Sequence, residues 1–161
     1  MIIVSDTSCI SNLQIIGRLD LLHLIYGKVL VPNAVYNELL QLNKFYPKLQ
    51  EINSYNWIEV CNVENQALVE SLRKELDKGE SEAIALAKEL SADALVMDEA
   101  QGRAIAIKLG IHVIGLLGIL IQAKQKNLID SIKPILQELK DKAGFWVGDE
   151  LYFHVLKRVN E

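Results

Sequence analysis

Two aspartates each follow a short apolar run, where a buried strand is expected to end. Asp6 follows the run IIVS, and Asp98 follows ALVM. Apolar runs of this length are typical of strands that are buried on both faces of a parallel sheet. Sites in such sheets form beyond the carboxyl ends of the strands, so we expect both carboxylates at that edge. An aspartate after a strand can also be a simple turn former.

Two glutamates are expected to approach the same edge from helices. On the helix predicted over NAVYNELLQL, Glu38 falls inside the apolar arc, where a glutamate needs a cation or hydrogen-bond donors unless its tip reaches water. On the helix predicted over GESEAIALAKEL, Glu80 lies near the buried arc, whereas Glu82 is expected to point outward. Glu80 also lies in the first helical turn, where an anion stabilises the helix, so a structural role is the alternative.

A cluster of Asp6, Glu38, Glu80 and Asp98 would be electrostatically unfavourable without a counter-ion. Ligands that are all oxygens favour Mg²⁺ or Mn²⁺ over zinc. Such a site can activate water and neutralise charge on a phosphodiester during in-line attack. Ser8, two residues after Asp6, is expected to hydrogen-bond a metal-bound water or a neighbouring carboxylate.

The elements that must position these residues alternate along the chain. Strands are predicted at MIIVS, KVLVP, WIEV, DALVMDE and IHVIG, with helical patterns between them. This alternation favours an α/β fold with a parallel sheet covered by helices on both faces. The tail, 130–161, is predicted to form two amphipathic helices that divide at Gly144. We therefore predict a single domain over 1–161, with these C-terminal helices packed on it.

Composition excludes several other classes of protein. The chain has 161 residues and a formal net charge of -4, so a broad basic surface for duplex DNA is not indicated. Cys9 and Cys61 form no CxxC motif and predict neither a disulfide framework nor a zinc site. The N-terminus lacks the basic region of a signal peptide, and the longest apolar run is too short to span a bilayer. We expect a cytoplasmic protein without a membrane segment.

Two smaller features bear on ligands. Five cations could contact phosphates, although a solvated surface role is the default for each: Lys44, Lys48, Arg103, Lys124 and Lys126. Trp146, with the neighbouring Phe145, Tyr152 and Phe153, is expected to form a packing or dimer surface rather than a platform for RNA bases.

In their order along the chain, VSDTSCISNL, VPNAVYNEL, GESEAIALA and ALVMDE resemble the PIN domain. More narrowly, they resemble a prokaryotic branch close to VapC-type toxins, over nearly the whole chain. The resemblance implies a three-layer α/β/α sandwich and an acidic Mg²⁺ or Mn²⁺ site that hydrolyses RNA. By position, Asp6, Glu38, Glu80 and Asp98 match the acids of the family, and Ser8 matches its small hydroxyl residue.

Three positions depart from the common pattern of that family. The third acid is Glu80 rather than the commoner aspartate, and Glu82 is close enough to compete for the role. Met97 stands where many relatives carry threonine, and Leu116 stands where many carry a hydroxyl residue.

Three functions follow as hypotheses. The first is a metal-dependent endoribonuclease, the toxin of a toxin–antitoxin pair, with a small antitoxin protein as partner and a tendency to form homodimers or higher homo-oligomers. The second is a catalytically weak PIN domain that serves as a binding or assembly module. The third is an aspartyl phosphatase or receiver-like domain, which the absence of a DxD motif at Asp6 and the inward Glu38 argue against.

Overall fold

The centre of the molecule is a five-stranded sheet in which every strand pair is parallel. The computed structural model describes residues 1–161. The sheet order is β3-β2-β1-β4-β5. The strands are β1 (Ile3–Ser5), β2 (Val29–Pro32), β3 (Ile58–Cys61), β4 (Ala94–Val96) and β5 (Val113–Ile114).

Nine α-helices surround this sheet and confirm the predicted three-layer α/β/α fold. They are α1 (Thr7–Ile15), α2 (Asp20–Tyr26), α3 (Asn33–Phe45), α4 (Gln66–Leu72), α5 (Lys78–Glu89), α6 (Ala100–Lys108), α7 (Leu116–Gln125), α8 (Lys133–Ala143) and α9 (Asp149–Arg158). A short 3-10 turn at Ile52–Ser54 lies in the connection from α3 to β3. None of the helices is both long and apolar enough to cross a membrane.

The central strand β1 is the most deeply buried part of the sheet. Val4 lies opposite Leu30 of β2 and Leu95 of β4. Ile3, Val4 and Ser5 are almost completely shielded from solvent. Because strands buried on both faces read as continuous apolar runs, the pattern at the start of the chain predicted this position.

Two helical predictions were too long. The run from Cys9 to Tyr26 is divided into α1 and α2 at Gly17, whose φ of +72° is a left-handed conformation that glycine adopts readily. The helix expected from Val63 begins only at Gln66. The reason is a cap: the side chain of Asn65 accepts a hydrogen bond from the Leu68 amide at 3.1 Å and marks the helix start.

The two C-terminal helices contribute to the same apolar core as the sheet. Gly144 ends α8 in a left-handed conformation, with a φ of +68°, as its position between two helical patterns predicted. Leu139 of α8 and Val155 of α9 belong to the single cluster of 41 buried apolar residues that fills the molecule. The tail is therefore packed on the α/β body rather than extended from it.

Candidate active site

Asp6 lies at the junction of β1 and α1, at the carboxyl edge of the sheet. Its backbone amide donates to the Val96 carbonyl at 2.9 Å, which ties the end of β1 to β4. Its residue surface is only 4% exposed. Burial, the largest cause, and the charges of Glu38, Asp77 and Glu80 together raise the pKa of this carboxyl from 3.8 to about 7. A hydrogen bond from the Thr7 amide acts in the opposite direction. Asp6 is thus a rigid carboxylate among other carboxylates.

Glu38 reaches the same place from α3 and is half-buried. Its carboxylate accepts a hydrogen bond from the Thr7 hydroxyl. It also lies directly against Gly79, where an added Cβ would be 2.5 Å from Glu38 Oε1. Burial raises the pKa of Glu38, while bonds from Thr7 and from the Gly79 amide lower it. The absence of a side chain at Gly79 makes the room that this carboxylate occupies.

Glu80 lies in the first turn of α5, within a capping box. The Glu80 amide donates to Asp77 Oδ1 at 2.8 Å, and Glu80 Oε2 accepts from the Asp77 amide at 3.1 Å. Burial raises the pKa of Glu80, and the charges of Asp77, Glu99 and Glu38 add to this rise. Glu80 therefore has a structural role in the cap and is also one of the mutually repelling carboxylates.

The outward orientation expected for Glu82 is wrong. Glu82 is 7% exposed, and its Oε1 accepts a hydrogen bond from the Ala34 amide at 3.1 Å in the first turn of α3. The apolar arc predicted the wrong orientation for Glu82 because α5 packs against strands and helices on most sides. The helix therefore has no outer face at this turn. Glu82 thus satisfies a free amide at the start of α3.

Asp98 follows β4 and is held by two donors. Its Oδ1 accepts from the Leu116 amide at 2.9 Å, and its Oδ2 accepts from the Cys9 thiol at 3.0 Å. Cys9 is completely buried, and this burial raises its thiol pKa, with the charges of Asp98 and Asp6 contributing. Cys9, in the first turn of α1 after Asp6, therefore bonds the second aspartate predicted at this edge.

Ser8 does not bond a carboxylate. Its Oγ is buried and has no hydrogen-bond partner in the protein, whereas the neighbouring Thr7 hydroxyl takes the bond to Glu38. A buried hydroxyl without a partner is uncommon in a folded protein and is often satisfied by a water or an ion. Ser8 is thus still available for the solvent-mediated contact expected of it.

The site consists of a coupled group and a separate, adjacent carboxylate. The charges of Glu38, Asp77 and Glu80 raise the pKa of Asp6, and those of Asp77 and Glu38 raise the pKa of Glu80. Asp98 is held separately by its hydrogen bond from Cys9. No three His, Cys, Asp or Glu side chains are already arranged to hold a metal ion. The carboxylates therefore share one region without forming a finished set of ligands.

Several residues of this region were not identified from the sequence. Asp77 was detectable, because an aspartate three residues before a glutamate is the signature of a capping box. Thr7 and Cys9 lie in the first turn after Asp6, where side chains commonly face the end of the strand, but nothing local indicates their partners. Those partners are 31 and 89 residues away in the chain.

A family model described as DUF3368: PIN domain matches residues 2–161. The chain belongs to the PIN-domain family. PIN domains are generally nucleases and generally use divalent metal ions, so nucleic acid is the substrate class that the family indicates. No curated protein and no solved structure matches the chain. The resemblance to the PIN domain and the fold that it implied are both confirmed, whereas the narrower likeness to VapC-type toxins stays a prediction.

Proposed function

We propose that this PIN domain is a divalent-metal-dependent endoribonuclease. The observation that carries the proposal is Asp6, a buried carboxylate at the end of the central strand whose pKa is raised to about 7 by burial and by neighbouring acids. Several carboxylates in one buried region destabilise the folded protein, so stability does not account for their presence. Perturbed carboxylates of this kind cluster at functional sites.

Mg²⁺ or Mn²⁺ would be held by four carboxylates, those of Asp6, Glu38, Glu80 and Asp98. Their donor atoms are all carboxylate oxygens, the ligands that these ions prefer. The unpartnered Oγ of Ser8 is consistent with a place for an ordered water beside them. Bound there, the ion would supply charge neutralisation at a phosphodiester and an activated water.

The protein's own contribution is to orient these carboxylates before substrate arrives. Glu38 is fixed by Thr7 and Gly79, and Asp98 is fixed by Leu116 and Cys9. Ligands that are already hydrogen-bonded lose less freedom on binding, so the supporting residues matter for affinity. We assign no side chain as general base.

The finer proposal is that the enzyme is the toxin of a toxin–antitoxin pair. It is supported by the resemblance to VapC-type proteins, which also suggests a small antitoxin protein and a homodimer. Expression of the wild-type chain in bacterial cells should stop growth, while expression of Asp6→Asn should not. Equal growth with both chains would contradict the toxin role without affecting the nuclease proposal.

The decisive test is cleavage of a mixed pool of structured RNAs by purified protein. We expect cleavage with Mn²⁺ or Mg²⁺, none with EDTA, and none by Asp6→Asn. The matched control is Asp130→Asn, because Asp130 is exposed and far along the chain from the cluster. It should cleave like the wild type.

Two results would reject the nuclease proposal. The first is cleavage that persists in Asp6→Asn or in EDTA, which would indicate a contaminant or another site. The second is a protein that neither cleaves RNA nor gains thermal stability from Mn²⁺, which would favour a binding or assembly module.

A further inference from the structure

A large cleft is lined by Asp98, one of the carboxylates of the candidate site. It has a volume of about 880 Å³, within the range of ligand pockets. One wall is formed by β5 and α7, and the other by residues within 145–158, a range that contains the whole of α9. The cleft thus connects the candidate active site with the C-terminal tail.

The charge of the cleft is opposite to that of the chain as a whole. The chain carries 21 acidic and 17 basic residues, yet Asp98 is the only acidic residue that lines the cleft. Arg103 and Arg158 line it together with His112 and His154. Neither arginine forms a salt bridge with a carboxylate of the protein. Both guanidinium groups therefore keep N–H donors that no carboxylate of the protein accepts.

Arg103 is directed to the boundary between the cleft and the carboxylates. Its Nη1 donates to the Met97 carbonyl at 2.8 Å, one residue before Asp98. A Cβ at Gly115 would be 2.9 Å from both Arg103 Nη1 and Asp98 Oδ1. Glycine at this position lets a cation and a candidate metal ligand approach the same point. A phosphate in the adjoining part of the cleft would meet Arg103.

An aromatic residue completes the lining. Trp146 is 69% exposed, and Phe145 and Leu151 line the same cleft. An exposed tryptophan offers its ring to a nucleobase, and the stacking of bases on aromatic rings is tolerant of sequence. This exposure fits either a nucleobase or the dimer surface that the sequence predicted for Trp146.

We propose that this cleft holds the single-stranded RNA that flanks the bond at the carboxylates, with phosphates on Arg103 and Arg158 and an unpaired base on Trp146. The inference rests on the proposed nuclease function. A second copy of the chain is the other candidate occupant, but two arginines without a carboxylate partner beside an acidic site are better explained by a polyanion. A duplex would not present free bases to Trp146.

The test is the binding of a fluorescent single-stranded RNA hexamer, measured by anisotropy in EDTA so that no cleavage occurs. Two matched pairs of variants separate the cleft from the rest of the surface. Trp146→Ala is compared with Phe153→Ala, since Phe153 is also exposed but lies outside the cleft. Arg158→Ala is compared with Arg73→Ala, an exposed arginine before α5.

We expect Trp146→Ala to weaken binding by about tenfold. Arg158→Ala should weaken it and reduce the slope of log K against log salt by about 0.7, the loss of one phosphate contact to a single strand. Phe153→Ala and Arg73→Ala should bind like the wild type. The same sequence in a duplex should bind more weakly than the single strand.

The cleft proposal would be overturned if all four variants bound the hexamer as tightly as the wild type, or if the wild type showed no measurable binding. So would a wild-type dimer that Trp146→Ala dissociates while RNA affinity stays unchanged, since the cleft would then be an interface between copies. The nuclease proposal is judged separately by cleavage. If Asp6→Asn loses cleavage but the cleft variants bind RNA like the wild type, only the cleft proposal is rejected. If the cleft variants lose RNA binding but the wild type shows no metal-dependent cleavage, only the nuclease proposal is rejected.

Discussion

At the scale of single residues, Asp6 combines a cost for folding with a role in the proposed chemistry. Its carboxyl group has an ordinary pKa of 3.8 in the unfolded chain and a pKa of about 7 in the folded protein. Between these values the unfolded chain ionises while the folded protein keeps its proton. The stability of the metal-free protein therefore falls as the pH rises from about 4 to about 7.

Asp6→Asn should consequently stabilise the metal-free protein above pH 7, by roughly 2–4 kcal/mol from a pKa shift of this size. Near pH 4 the two proteins should unfold almost alike. Urea unfolding in EDTA across this pH range measures the difference, with Asp130→Asn as the control. A difference that does not change with pH would contradict a raised pKa. Added Mn²⁺ should raise the unfolding temperature of the wild type but not that of Asp6→Asn.

Thr7 acts on Glu38 rather than on substrate, so it is a positioning residue. Thr7→Val removes the hydroxyl that bonds Glu38 and keeps the shape of the side chain. We expect a loss of about 10-fold or more in Mn²⁺ affinity, as for other residues that orient metal ligands. Thr7→Ser should restore the affinity, which isothermal titration calorimetry can measure. Equal affinities for Thr7→Val and wild type would remove Thr7 from the site.

At the scale of elements, the start of α5 both caps a helix and makes room for a carboxylate. In Gly79→Ala the new Cβ would collide with the flexible end of Glu38 rather than with backbone. We expect the free energy of unfolding to stay level or rise, because alanine favours a helix by about 0.5–1 kcal/mol over glycine. Mn²⁺ affinity should fall, since Glu38 is displaced.

A double-mutant cycle with Glu38→Gln tests that explanation for Gly79. If Gly79→Ala acts by moving Glu38, it should have no further effect on Mn²⁺ affinity once Glu38 is Gln. Additive losses would mean that Gly79→Ala acts on the site through another residue.

The two glutamates of α5 can be separated by matched substitutions. In Glu82→Gln the side-chain oxygen can still accept from the Ala34 amide, so the fold and Mn²⁺ affinity should change little. Glu80→Gln should likewise keep the bond from the Asp77 amide but lose a carboxylate, and Mn²⁺ affinity should fall. Titration of both variants with Mn²⁺ decides between them. The opposite result would make Glu82 the third acid.

At the scale of the whole molecule, the Glu161 side chain connects the end of the C-terminal tail with α7 and with the start of α8. Its side chain is 9% exposed and bonds the Ser131 hydroxyl, the Ile132 amide at 2.7 Å and Lys124 Nζ at 2.9 Å. Although burial favours the neutral form, these bonds lower the pKa of Glu161 from 4.5 to about 2. A carboxylate at the start of α8 is also favoured by the helix dipole.

Glu161→Gln should therefore lower the stability at pH 7 by about 2 kcal/mol, or about 5 °C in Tm for a chain of this length. The stabilisation by Glu161 is fully present above pH 4.5 and disappears as the pH falls towards 2. The free energies of unfolding of the two proteins should therefore converge in acid. Thermal unfolding followed by circular dichroism measures this. A single transition in both proteins would support one domain over 1–161, and two transitions would contradict it.

The sequence by itself determined the layers of this protein and the edge at which its acids lie. Apolar runs and helical periodicity are local properties, so the strand before Asp6, the strand before Asp98 and the division at Gly144 could be found without a structure. The inward position of Glu38 also followed from a local pattern, because α3 has one buried face. The family resemblance added the expected chemistry.

Only the tertiary structure decided how the acids are supported. The bond between Cys9 and Asp98 joins residues 89 positions apart, and no local pattern encodes it. Glu82 turned inward because α5 is enclosed by several elements, a property of packing that periodicity within one helix does not record. The cleft likewise exists only because α9 packs back beside β5 and α7. Local interactions determine elements, whereas a site depends on contacts that form when distant elements meet.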